Sequence, residues 1–149
     1  MAGSAGAKSG ISEASPLVLQ KENNKGTLAY FITKEDLTKN GEFSTGLTLN
    51  VIHLKKDSAV ERGEGMINQM AAQHHVKTWN RVVGPFQEFG CELKDTEASG
   101  TIIMHALNVA NPKTNVLYVF TFESPAANWD YAWKIGQQIL DTLALDDDI

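Results

Sequence analysis

The chain has one cysteine, Cys91, in 149 residues. That excludes an intramolecular disulfide and a thiolate metal cluster, so packing must hold the fold together, and a buried free thiol is the expected state of Cys91. No window approaches the ~20 apolar residues of a transmembrane helix, and the first ten residues carry Gly, Ala and Ser repeats where a signal peptide would have an apolar stretch. The chain as given therefore reads as soluble; an exported or envelope-associated origin stays open if an upstream signal has been removed. Positive charge is scarce as well. Thirteen Lys and Arg face eighteen Asp and Glu, for a net charge of -5. A surface of that sign repels a phosphate backbone, so nucleic acid is not an expected partner. There is no Gly-rich phosphate loop followed by Lys and Ser/Thr, no Gly-x-Ser-x-Gly elbow, no His-Glu-x-x-His and no acidic calcium loop. No cofactor or metal is expected, and an enzyme of unrecognised type would require a histidine and carboxylates clustered in a cleft.

Against these absences stand 42% hydrophobic residues, ordinary for a globular domain. Residues 1–26 are too small and polar to build a core and read as an arm, in which only Ser15 to Leu19 is apolar enough to dock as a short edge segment. Residues 27–149 read as one α+β domain. Leu28 to Glu35, rich in Tyr30, Phe31, Ile32 and Thr33, suits a strand, and Asn40-Gly41 is the next turn signal. Thr45 to Leu54 alternates Leu47, Leu49, Val51 and His53 against a second set, which predicts a strand antiparallel to the first with that set toward the core. Ser58 with Glu61 three residues on forms a capping-box pattern and opens a helix to about Gln73. Its expected stripe is Val60, Ile67, Met70 and Ala71, with Gly63 where the helix must approach the sheet closely.

Four more strands follow. Val76 to Val83 ends at Gly84-Pro85; Phe86 to Leu93 buries Phe89, Cys91 and Leu93; Thr101 to Ala110 and Val116 to Glu123 are joined by Asn111 to Asn115 as a hairpin loop. The last two are apolar on both faces, the pattern of central strands covered on two sides. Asn128 or Ser124 should cap a final helix to about Leu143, whose stripe is Trp129, Ala132, Trp133, Gly136, Leu140 and Leu143. The expected architecture is an antiparallel sheet of about six strands flanked by two helices.

Candidate chemistry is thin. His74 and His75 at the end of the first helix favour its negative dipole end, and His53 and His105 on strands read as half-buried, hydrogen-bonded residues. Glu88, Glu92, Asp95 and Glu97 alternate along a strand and read as a solvated face. Pairing Cys91 with a histidine as a nucleophile has no local support. Among the aromatic residues Trp79, Phe86, Phe89, Trp129, Tyr131 and Trp133, most belong in a core. Trp79, Phe86 and Tyr131 are the candidate interaction surface, should Trp79 or Tyr131 prove exposed beside the turn Gly84-Pro85.

Tyr118 to Pro125, followed by Asn128-Trp129-Asp130 and Ile135 to Leu143, resembles the PsbP-like family, in which a strand ends in a short Ser/Ala-Pro step and a Trp-Asp-like helix start packs along the sheet. The resemblance implies a PsbP-like α+β fold and a non-catalytic binding or assembly role. The expected partner is another protein. The alternative is a small-molecule ligand held in a pocket between the C-terminal helix and the sheet. A filled core with an exposed apolar patch favours the first, and convergent polar groups in an apolar cavity favour the second.

Overall fold

The computed structural model describes residues 17–20, 27–33, 45–97 and 100–148. The Asn40-Gly41 turn and most of the arm lie outside the described residues. Seven antiparallel strands form one sheet: β1 (Leu17–Gln20), β2 (Thr27–Thr33), β3 (Gly46–His53), β4 (Thr78–Val83), β5 (Phe86–Glu97), β6 (Gly100–Asn111) and β7 (Val116–Pro125), in the order β1-β2-β3-β7-β6-β5-β4. The helices are α1 (Ala59–His74) and α2 (Trp129–Asp141). The seventh strand, β1, is the apolar stretch of the arm, paired with β2 at the sheet edge.

Side-chain alternation gives the sheet two cores. One face of β5, β6 and β7 presents Phe89, Cys91, Ala106, Ala110 and Leu117, all buried against Ala59, Ile67 and Ala71 of α1. The other face presents Leu107, Val109, Tyr118 and Phe120, and next to them Leu47 and Phe122 pack under Trp129 and Ala132 of α2. β6 and β7 are thus covered on both sides, which is why neither alternates in hydropathy. The expected set on β3 does turn toward a core: Leu47 is buried under α2 and Leu49 and Val51 pack on the same side, while Ile52 of the opposite set packs on the α1 side. His53, expected to be half-buried, is exposed at the end of its strand.

Helix α1 begins as its sequence predicts, with Ser58 Oγ accepting the Glu61 amide at 3.3 Å. Asn115 Oδ1 takes the Ala59 amide at 2.7 Å, while its Nδ2 donates to the carbonyls of Leu54 and Asp57 at 3.0 and 2.8 Å. One residue in the β6–β7 turn therefore ties down both the helix start and the chain leading into it, and it does so from a left-handed backbone, φ 58°, that Asn tolerates better than most residues. At the other end His75 caps the helix through its own left-handed backbone, φ 54° and ψ 40°, donating its amide to Ala71 and Ala72. Gly63 lets α1 approach the sheet: a Cβ there would stand 2.9 Å from Leu117 Cδ1, and the Gly63 carbonyl accepts from buried Asn108 Nδ2 at 3.0 Å.

Helix α2 starts differently from expectation. Asn128 makes no side-chain capping bond, because a 3-10 turn, Ala126–Asn128, carries the chain off the sheet and into the helix. Ser124 is buried and bonded to Thr45 Oγ1 at 2.8 Å, so it ties β7 to the start of β3 and is not a cap. Leu143 lies beyond the helix end and is 41% exposed, so the buried stripe stops a turn early.

Candidate functional site

The placement of α2 decides where space remains on its face. At Gly136 the helix backbone rests on Phe122 of β7, where a Cβ would lie 2.8 Å from the ring. The helix therefore rides over β7, and the β6-β5-β4 side of that face is left partly open. There a cleft of about 270 Å³ is lined by Trp79 and Arg81 of β4, Glu88 of β5, His105 and Leu107 of β6, and Trp133, Gln137, Leu140 and Asp141 of α2. That volume falls just below the range of about 300 to 1,000 Å³ typical of small-molecule pockets.

The β4–β5 hairpin builds one wall. Gly84, φ 57°, followed by Pro85 makes a two-residue turn, and a first turn residue with positive φ is what a type II′ hairpin requires. A two-residue turn fixes register, so Arg81 falls opposite Glu88 and Trp79 opposite Gly90. Gly90 has to be glycine because the Trp79 ring lies over it: a Cβ there would be 2.1 Å from Trp79 Cζ2. The Arg81 guanidinium stands 5.8 Å from the Trp79 ring centroid, and its Nε donates to Glu88 Oε2. This corrects the reading of Glu88 as part of a solvated face. Its side chain is only 13% exposed, because the cross-strand arginine and the cleft wall cover it.

His105 forms the floor. Its ring packs between Trp133, at 4.3 Å between centroids, and Trp79, at 6.0 Å, and Trp133 in turn stacks on Trp129 at 5.3 Å. The side chain is half-buried as expected, but the hydrogen bond is missing. Nδ1 faces Glu92 Oε2 at 3.6 Å, beyond hydrogen-bond length, and is a buried nitrogen without a partner among the described residues. Burial pushes the imidazole below its usual range against the opposing pull of the Glu92 carboxylate, so the ring is neutral at pH 7.

The candidate interaction residues do not form one patch. Trp79 is half-buried in the cleft wall, and Phe86 is half-buried against the Leu107, Val109 and Phe120 cluster. Tyr131 is 73% exposed at the start of α2. The register separates Tyr131 from the Gly84-Pro85 turn: the turn lies level with Ala110, while α2 begins after Pro125, which is paired with Ile102. Exposed apolar surface does adjoin the turn, in Val82 at 74% and Val83 at 44%. Cys91 and His105 project from opposite faces of the sheet, and burial pushes the thiol up, so they make no nucleophile pair. Sequence reasoning missed Arg81, Gln137 and Asp141. Arg81 had a usable signal, since counting outward from Gly84-Pro85 places it opposite Glu88.

No family model and no curated protein matches the sequence. Solved structures do. The crystal structure of a protein of unknown function from Pseudomonas aeruginosa aligns with a TM-score of 0.63 at 7% identity, covering 89% of this chain and 99% of that one. The solution structure of a cyanobacterial PsbP from Synechocystis aligns with a TM-score of 0.49 at 10% identity, covering 97% and 100%. The first likeness establishes a shared fold. No helix among the described residues is long and apolar enough to cross a membrane.

Proposed function

We propose that the protein is a non-catalytic interaction module that binds a partner protein along β4. The observation that carries this reading is the state of that strand. β4 is an edge of the sheet, five of its six residues are exposed, and Val82 is among the most exposed large apolar residues described. An edge strand offers a row of backbone donors and acceptors to an added strand, and exposed valines give such an addition an apolar contact. A photo-crosslinking residue at position 82 should capture a discrete partner in the source cell, and the same residue at Glu64, exposed on α1, should not. Val82→Lys should abolish the capture. Equal capture from both positions, or capture indifferent to the lysine, would remove β4 as the docking strand.

A second reading is favoured by a different observation. The cleft between α2 and the sheet joins two indole rings with Arg81, Glu88, Gln137 and Asp141, the mix of apolar wall and convergent polar groups that holds small ligands. In this reading the protein is a small-ligand carrier. Saturable quenching of tryptophan fluorescence by small aromatic probes, lost in Trp133→Ala, tests it.

A further inference from the structure

We infer that the cleft is a site for a small organic cation, a guanidinium or methylated ammonium group held against the Trp79 ring between the Glu88 and Asp141 carboxylates, with Trp133 in the opposite wall and Arg81 as its built-in occupant. The inference rests on the second reading above, that the cleft is a ligand site, and adds the class of ligand.

The chain's own guanidinium already shows the recognition. Arg81 lies over the Trp79 ring and is bonded to Glu88, the pairing of aromatic face and carboxylate that selects an organic cation. The two partners differ in how firmly they are placed. The Glu88 side chain is 13% exposed and fixed inside the cleft, whereas that of Arg81 is 64% exposed and reaches in from the edge strand. The carboxylate is thus the permanent part of the site and the cation the exchangeable one.

The charge count points the same way. The lining holds one cation, Arg81, against two carboxylates, Glu88 and Asp141. Asp141, on the α2 wall, is exposed, and none of the described residues forms an ion pair with it. Beyond His105 a third carboxylate, Glu92, is 48% exposed. The His105 ring between the two indoles adds aromatic surface. An anion would have to draw Arg81 from Glu88 while approaching Asp141, whereas an incoming cation meets one carboxylate on the sheet wall and another on the helix wall of an aromatic-lined cleft.

The test uses the full chain, with benzyltrimethylammonium, benzoate and benzyl alcohol as probes of matched shape and opposite or no charge. Binding is read from the indole N–H resonances of Trp79 and Trp133. The cation should shift both resonances saturably and bind more tightly than benzoate. Arg81→Ala should tighten the cation by about two- to five-fold, because it frees Glu88 and the Trp79 face, and Asp141→Asn should weaken it by a similar factor. Both changes are at exposed side chains, so circular dichroism should show an unchanged fold. Benzoate binding more tightly than the cation, or a cation weakened by Arg81→Ala, would overturn the inference while leaving the cleft as a ligand site. No response at either indole to any probe, in the parent chain and in Arg81→Ala, would overturn both.

Discussion

The two faces of the sheet are closed in opposite ways. Helix α1 approaches with small residues, Ala59, Gly63 and Ala71, beside one fully buried large one, Ile67, with Val60, Met66 and Met70 packed at the margins, so its backbone lies close to β5 and β6. Helix α2 touches down closely only around Ala132 and Gly136, over β7, and elsewhere approaches with rings. Trp129 and Trp133 stand off from the sheet, touch it through Phe122 and His105, and leave a cleft on the side where no helix backbone reaches. Small residues give close contact and no volume. Large ones give contact at a few points and room between them. The face that stabilises and the face that can bind are therefore distinguished by side-chain size before any question of chemistry.

The sharpest way to break the comparison is to take a ring from the closed part of the α2 face. Trp129 is 8% exposed, packs at a tilt against Phe122 and stacks on Trp133, so Trp129→Ala should cost about 3 to 5 kcal/mol in urea unfolding. Trp133 is half-buried, and Trp133→Ala should cost about 2 kcal/mol while removing probe binding, which separates packing from site on one helix. On the α1 face Asn115→Ala removes three backbone anchors and puts Ala in a left-handed backbone. A loss of about 2 to 4 kcal/mol is expected by the same measurement, with the cleft unaffected. Gly90→Ala should cost about 1 to 3 kcal/mol, because the new methyl displaces the Trp79 ring, and should shift the Trp79 indole resonance more than any other.

The smallest effects are in pH and have opposite signs on the two faces. His105 is held below its usual range by burial, so the unfolded chain takes up its proton first. Stability from this group is present above about pH 6.5 and is lost as pH falls toward the lower folded value. Glu123, which shares the α1 face of β7 with Leu117 and Val119, has its carboxyl pushed up by burial. Its contribution is present below about pH 4.5 and is lost as pH rises through the raised folded value. His105→Gln should flatten the fall in melting temperature between about pH 7 and about pH 5.5. Glu123→Gln should raise the melting temperature at about pH 7 and leave it unchanged at about pH 4. A reversed sign in either variant would show that the group's surroundings differ from those described.

Most of the fold is legible in the sequence because its signals are local. Alternation places Phe89, Cys91 and Leu93 on one side of β5, the Ser58 box starts α1, and the Gly84-Pro85 pair closes a hairpin. What escapes is whatever depends on two elements at once. Ser124 resembles a cap until Thr45 is seen beside it. The half-buried state of Glu88 depends on a neighbouring strand and on a helix about fifty residues away in sequence. The cleft exists because Gly136 sets α2 down on β7, and no periodicity within one segment encodes which strand a helix leaves uncovered.

The Gly84-Pro85 turn carries a consequence for inheritance. Substitutions can retune the cleft without moving its backbone, since positions 79, 81 and 88 keep their register whatever side chains they carry. A gain or loss of one residue in the turn cannot. It would move the whole of β4 by one position and send the side chains at 79 and 81 to the opposite face of the sheet. Any variant that keeps the cleft must therefore keep the spacing between positions 81 and 88, whichever side chains stand there.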